Sequence, residues 1–270
     1  MADFTTAVAE FRRRRFALAE GDRIHSTEEA LEFLKLAGYC LLTPKAGMTL
    51  PNLADIAGEP FRRWKDEIIR RKAIYYGRPF RRRSGFVRLD LLPSLYALSP
   101  TAAFEGDRFE LYKRRFLSAD ANRIAGVVFA KGPLPTRALR RESGMAGHQH
   151  HYRFLRRLAE AETQFLIVKS GITTIEASHY SYLWEPFTAV YSSSAAASAD
   201  ISVDEAATTV ITSYLDAVGA ATIRQITLTF TLNEDYVRYM AGQLVEQRRI
   251  ARHSGEDREY LICWELDSAL

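Results

Sequence analysis

The sequence predicts a mainly helical chain with small β-hairpin wings, an α+β fold of tandem winged helix-turn-helix domains. Three observations predict it. A unit of about 55 to 65 residues recurs in the second half of the chain. Helical apolar spacing alternates with short apolar runs bounded by polar turns. The 270 residues, 47% apolar and 26% charged, have the composition of a soluble globular protein with room for two or three small domains.

Along the chain, residues 1–23 read as an N-terminal helix. Ser26 or Thr27 caps a second helix, with Glu28, Glu29 and Glu32 near its positive end and Leu31, Phe33, Leu34 and Leu36 toward a core. Gly38 stops it, and Tyr39–Thr43 is apolar enough for a short buried strand. Phe61–Arg71 reads as a helix holding Trp64, Ile68 and Ile69. Ala73–Tyr76 and Phe86–Leu89 read as two strands, joined by a tip containing Arg81, Arg82, Arg83, Ser84 and Gly85. Three arginines at a hairpin tip suit insertion along a phosphate backbone.

The repeat organises the second half. Gly132-Pro-Leu-Pro-Thr-Arg137 lines up with Gly219-Ala-Ala-Thr-Ile-Arg224, and each follows a helix, Ala121–Ala130 or Glu205–Val218. A short helix begins near Thr136 or Thr222, and a turn follows at 144–147 or 231–233. The next helix is longer, Gln149–Ala161 in one copy and Glu234–Gln247 in the other. Its inward residues are Tyr152, Leu155 and Leu158 in the first, and Val237, Met240 and Leu244 in the second. Asn233 before Glu234 and Asp235 is an N-cap signature. Ile167-Val168 or Ile250-Ala251 then leads into a wing-like turn, His253–Arg258 in the second copy. The copies end on Tyr182–Glu185 and Ile262–Glu265, so Gly, Arg, Trp and Glu recur in one order.

Helix, helix-turn-helix and β-hairpin make a winged helix. Thr227–Leu232 alternates with period two, as a strand would, yet the repeat places it on the short helix and its turn. Ser192–Ala199 reads as a linker or a loosely packed helix start. The chain thus divides into a helical, winged-helix-like domain with the basic hairpin at 1–118, one winged helix at 119–190 and another at 200–270.

Charge separates these parts more sharply than the net of +4 suggests. Residues 1–160 hold 30 Lys and Arg against 18 Asp and Glu, and residues 161–270 hold 7 against 15. A field of that asymmetry draws polyanions to one end. Arginine far outnumbers lysine, which favours bidentate phosphate contact. The longest stretches without charge, Leu91–Phe104 and Pro186–Ala199, have 14 residues each, too few to span a bilayer. No signal peptide is expected, because Arg12–Arg15 interrupt the N-terminus. Cys40 and Cys263 read as core fillers in a reducing cytoplasm.

Within the basic part, Arg153, Arg156 and Arg157 fall at i, i+3 and i+4 on the proposed recognition helix, and Arg137, Arg140 and Arg141 repeat the spacing on the helix before it. His148, Gln149, His150 and His151 lie at the start of that helix, where N-terminal side chains reach base edges. Gln149 suits adenine, and His148 and His151 suit bases or phosphates. Histidines one and two residues apart do not share a helical face, so no metal site is assigned. Tyr75, Tyr76, Tyr180, Tyr182 and Trp184 read as core rather than as base-stacking groups. The second copy, with Glu234, Asp235 and Glu246, is the poorer reader of DNA and the better packing or dimer unit.

Gly132–Arg137, Arg153–Leu158 and Phe165–Val168, closed by Tyr182–Glu185, resemble segments of bacterial tandem winged-helix proteins related to interstrand-crosslink-repair DNA glycosylases. Trp64–Asp66, Ile74–Gly77 and Leu92–Leu98 are similar to the same group, so the resemblance covers roughly residues 25–265. It implies a concave basic surface for duplex DNA. In active members of that group a Gln-x-Gln or Gln-x-Asp motif orients the attacking water. Here the matching region is Gly38–Pro44, which holds no Gln, Asp or Glu, and Thr43 is its one side chain able to hold a water.

The expectation is therefore a cytoplasmic, nucleoid-associated DNA-binding protein without that catalysis. Its partner is double-stranded DNA, no cofactor is implied, and a homodimer would form through the C-terminal winged helix. Two alternatives stay open, an active glycosylase removing alkylated bases and a protein–protein scaffold.

Overall fold

A computed structural model of the chain describes residues 3–16, 24–174, 180–255 and 258–268. The N-terminal helix, expected over 1–23, is α1 (Phe4–Arg15), closed by Phe16. The rest of that expectation, residues 1, 2 and 17–23, lies outside the described residues, as do Glu256 and Asp257 of the last wing. Among the described residues no helix is long and apolar enough to cross a membrane.

One element order then occurs three times. The first unit runs α2 (Thr27–Ala37), β1 (Tyr39–Leu41), α3 (Leu53–Ala57), α4 (Phe61–Arg71), β2 (Tyr75–Phe80) and β3 (Arg83–Val87). Short helices α5 (Leu92–Ala97), α6 (Pro100–Ala103) and α7 (Arg108–Lys113) lead to the second unit. It consists of α8 (Ala119–Lys131), β4 (Leu134–Pro135), α9 (Thr136–Glu142), α10 (His151–Thr163), β5 (Ile167–Thr174) and β6 (Tyr180–Pro186). After α11 (Phe187–Val190) and α12 (Ser192–Ser198) comes the third: α13 (Val203–Val218), β7 (Ala220–Ala221), α14 (Ile223–Phe230), α15 (Glu234–Glu246), β8 (Ala251–Ser254) and β9 (Glu259–Ile262). Helix α16 (Trp264–Asp267) follows.

Each sheet has three antiparallel strands with the last strand of the unit in the middle: β1-β3-β2, β4-β6-β5 and β7-β9-β8. This is the tandem winged helix-turn-helix fold that the sequence predicts, with the N-terminal unit sharing the order of the other two.

The caps explain the boundaries. Ser26, Ser118 and Ser202 open α2, α8 and α13, each side-chain oxygen accepting from the backbone N–H three residues on. Gly38, Gly132 and Gly219 end the same three helices. Gly219 sits at φ 77, and a Cβ there would lie 2.7 Å from the Phe11 ring, so both conformation and packing require glycine. Thr227–Phe230 is helical despite its alternation, because Thr222 and Gln225 form a capping box and Ile226, Thr229 and Phe230 pack inward.

Three expectations change. The stripe Tyr152, Leu155, Leu158 is not the inward face of α10, where Phe154, Leu158 and Ala161 are buried while Tyr152 is 83% exposed. Steps of three drift around a helix of 3.6 residues per turn, and the buried set keeps i, i+4, i+7. The two tryptophans are not equivalent: Trp184 pairs with Leu134 inside its sheet, whereas Ile262 takes that place opposite Ala220 and Trp264 lies beyond, 55% exposed. Finally, α1 packs on α13 and α16 of the last unit rather than on the N-terminal one. The Arg12 guanidinium donates to the carbonyls of Val218 (2.9 Å) and Ala220 (2.8 Å), placing a cation at the negative end of α13.

The first sheet lies between two cores. Cys40, Tyr76 and Phe86 face a core with Leu34, Ile56, Trp64 and Ile68. Tyr39, Tyr75 and Val87 alternate with them and face a larger core shared with α13 and α15 of the third unit and with Phe165 and Phe187. The second unit has its own core around Ile124, Leu139, Phe154 and Trp184.

Candidate nucleic-acid interface

The basic hairpin is tighter than its sequence suggests. Arg83, Ser84 and Gly85 belong to β3, and Phe80 pairs with Arg83, so the tip is Arg81-Arg82 alone. Both residues sit at positive φ, 44° and 64°, as a two-residue primed turn requires. Such turns favour Asn-Gly, and non-glycine residues there cost on the order of 1 kcal/mol or more each. Phe80 anchors the strand by packing edge-on to Tyr39 and Phe230, each ring 6.0 Å away.

All three units meet at this tip. Arg78 donates from Nε to Glu162 of α10 (3.1 Å) and from Nη1 to the Arg82 carbonyl (2.9 Å). On the other side, Arg81 and Arg83 line a cleft of about 240 Å³ with Lys45, Gly47 and Leu228 of α14. Arg81, Arg82 and Arg83 are exposed, and no carboxylate among the described residues pairs with them.

The second helix-turn-helix is less bare than its sequence suggests. Arg140 is an internal brace: Nε donates to the Met145 carbonyl (2.8 Å), Nη2 to the Gly147 carbonyl (2.5 Å), and Nη1 lies 3.4 Å from His151 Nδ1. Arg153 Nε donates to Asp120 (2.6 Å) and Arg157 Nη1 to Glu160 (2.8 Å). Arg141 faces Glu142 at 3.4 Å. The open cationic stripe expected from Arg153, Arg156 and Arg157 is thus reduced to Arg156, exposed beside Tyr152 and Leu155.

Arg137 is exposed at the start of α9, and His148 and Gln149 are exposed on a 3-10 turn before α10. His150 and His151 are half-buried. Among the described residues no three His, Cys, Asp or Glu side chains gather as metal ligands. The structure therefore joins the tip to the C-terminal end of α10 through Arg78. It leaves His148 and Gln149 at the other end of that helix, about 20 Å away by helical rise.

Between the first two units lies a polar cluster that sequence reasoning missed. Lys169 of β5 and Glu162 of α10 are both buried and bonded to each other. Lys169 Nζ lies 4.8 Å from the Trp184 ring, 5.1 Å from Tyr76 and 5.3 Å from Tyr182. Burial pushes the Lys169 ammonium below the usual lysine range, against the pull of Glu162. Lys65 of α4 donates to the hydroxyls of Tyr182 (2.7 Å) and Tyr180 (3.2 Å), and Tyr180 donates to Asp66 (2.5 Å).

Burial, with the Asp66 bond second, raises the Tyr180 phenol. Tyr180 is 49% exposed, so it is not core, whereas Tyr75, Tyr76 and Trp184 are. The third helix of each unit thus grips a wing strand of the other, α4 on β6 and α10 on β2, and fixes their mutual angle. The signal in the sequence was a lysine directly after the apolar run Phe165–Val168, at alternating register with Ile167.

In the region Gly38–Pro44, Thr43 is exposed just past β1. The downstream carboxylates are mostly committed: Asp55 accepts from Asn52 (2.7 Å), Asp66 from Tyr180, and Glu67 from Thr27 (3.1 Å) and Arg71. Glu59 is exposed on the turn before α4.

A family model described as AlkZ related matches residues 24–231. Among solved structures, the chain is similar to the Streptomyces sahachiroi DNA glycosylase AlkZ, with a TM-score of 0.59 at 16% sequence identity, over 100% of this chain and 72% of that one. No curated protein matches.

Proposed function

The chain belongs to the AlkZ-related family, and on that premise we propose that it binds duplex DNA through its tandem winged helices, mainly by arginines in residues 60–160, without carrying the glycosylase chemistry named for its structural neighbour. The observation that carries this is the Arg81-Arg82 tip. Two cations are held in an unfavourable turn conformation, unpaired among the described residues, where three units converge. This reading adds Arg137, His148, Gln149 and Arg156, all exposed on the second unit, as further DNA contacts. The domains of this reading are 1–118, 119–190 and 200–270, with α1 seated on the last.

Thr43 stands in the region where a water-orienting Gln, Asp or Glu is needed, and three of the nearest carboxylates are held by other side chains. The acidic third unit suits packing and self-association, and the protein would act in the cytoplasm at the nucleoid. The test is fluorescence anisotropy of a labelled random-sequence duplex across a salt series, since counterion release makes phosphate binding fall steeply with salt. Micromolar binding with a steep slope is expected. No binding at low salt would refute the reading and leave a protein-interaction scaffold. Release of a base from an alkylated duplex would refute its non-catalytic half.

A further inference from the structure

Helix α7 and the chain that follows it form a second cationic surface against α10, apart from the tip. Residues 108–116 hold Arg108, Lys113, Arg114 and Arg115 against a single carboxylate, Glu110. They also present three aromatic side chains to solvent: Phe109, Tyr112 and Phe116 are 53%, 46% and 43% exposed. With α10 this segment encloses a cleft of about 560 Å³, lined by Tyr112, Lys113, Arg115, Ser118, Arg157 and Glu160.

The polar groups of the cleft are unequally satisfied. Glu160 is saturated: it accepts from the Ser118 N–H (2.6 Å), the Ser118 hydroxyl (3.1 Å) and Arg157 Nη1 (2.8 Å). Arg157 Nε is buried and has no hydrogen-bond partner among the described residues. Arg115 has no carboxylate partner among them and is held at φ 65°. The neighbouring cations are committed, Arg108 to Asn122 (2.6 Å), Lys113 to Glu110 (2.7 Å) and Arg114 to the face of Phe104 (5.0 Å). The cleft therefore brings the half-buried Arg157 guanidinium and the uncommitted Arg115 together next to an exposed tyrosine.

We propose that this cleft binds an unpaired nucleic-acid strand, with a phosphate at Arg115 and Arg157 and a base stacked on Tyr112. The volume lies in the range of small-ligand sites. Exposed rings interleaved with cations are the chemistry of strand binding by stacking, and a paired duplex keeps its base faces inside the stack. An acidic peptide would use the cations and leave the rings idle. This surface does not depend on the duplex contact proposed above.

The experiment titrates the full chain into a labelled twelve-residue oligo-dT and, separately, into a blunt hairpin duplex, following anisotropy. Tyr112→Ala is expected to weaken oligo-dT binding by on the order of 10-fold. Arg115→Gly is expected to weaken it as well while Tm holds or rises, since glycine accepts φ 65° without strain. Tyr112→Ala should leave hairpin affinity unchanged. Absence of oligo-dT binding by the wild type, or unchanged affinity in both variants, would overturn the proposal. Equal losses for both ligands would overturn it too, by making the cleft a phosphate contact for duplex. Oligo-dT binding without hairpin binding would uphold it and refute the duplex reading alone.

Discussion

The second and third units share one skeleton and carry opposite surfaces. Helix α10 buries Phe154, Leu158 and Ala161, and α15 buries Val237, Ala241 and Leu244 at the same spacing. In each unit an aspartate two residues after the N-cap serine of the first helix is reached from the third helix: Arg153 bonds Asp120 at 2.6 Å, and the Tyr236 hydroxyl bonds Asp204 at 2.7 Å. The first unit does the same with Glu28 and Arg71 at 2.7 Å. Outside this frame the residues diverge. Arg156 stands where the third unit has Tyr239. Lys169, opposite Trp184, stands where the third has Ala251 opposite Ile262. Apolar spacing and one acid suffice to set the unit, and the solvated and inter-unit faces are free to acquire different work.

The largest break in that comparison is Lys169→Ala, which gives the second unit the third unit's residue. It leaves Glu162 buried with Arg78 as its remaining cation, and a loss of about 3–5 kcal/mol is expected in urea unfolding. A loss under 1 kcal/mol would show that the cluster is not a structural joint. The same site sets a pH dependence. Because the folded pKa of Lys169 is lowered, the folded chain binds fewer protons than the unfolded one between that pKa and the usual lysine value. Stability should therefore rise with pH across that interval, and unfolding of the alanine variant should lack this contribution.

Next in size is the hairpin tip. Arg81→Asn with Arg82→Gly relieves the two positive-φ residues and should stabilise the chain by about 1–2 kcal/mol while weakening duplex binding. Stabilisation with intact DNA affinity would remove the tip from the interface. Ser202→Ala should cost about 1 kcal/mol by removing the N-cap of α13. Ser118→Ala should cost a similar amount, and it also removes one of the three bonds to Glu160.

The smallest effect is expected on α10. Arg153→Ala, Arg156→Ala and Arg157→Ala combined should lower affinity for all duplex sequences and flatten the log–log salt slope by about 0.9, the worth of one phosphate contact, because Arg156 alone is free. A reduction near three times that value would mean that DNA displaces Asp120 and Glu160 from their arginines. An unchanged slope would remove α10 from the interface.

Much of the fold was legible in the sequence because caps and apolar spacing are local. Ser26, Gly38, Asn233 and the ends of α4 stand where reading placed them. The N-terminal unit was harder to recognise as a third copy, since the long segment from Leu42 to Asn52 separates its first strand from its second helix. The repeat was anchored on tryptophans that differ in place, while the true signature, Ser118-Ala-Asp120 and Ser202-Val-Asp204, is short and polar.

The candidate interface was legible in charge and not in pairing. Nothing near Arg153 in the sequence reveals that Asp120, on the preceding long helix, neutralises it. The lysine after the apolar run Phe165–Val168 was legible, but its cross-unit neighbours Tyr76, Arg78 and Lys65 were not, because they join its cluster only where two units touch.

The seating of α1 has a consequence in time. Its guanidinium and ring partners, Val218, Gly219 and Ala220, lie more than 200 residues along the chain. At ribosomal rates of about 5–20 residues per second, this helix waits roughly 10 to 40 seconds for its docking site to be made. Among the described elements, the earliest helix synthesised is thus one of the last to find its place, and for that interval Val8 and Phe11 lack the part of their core that α13 and α16 supply.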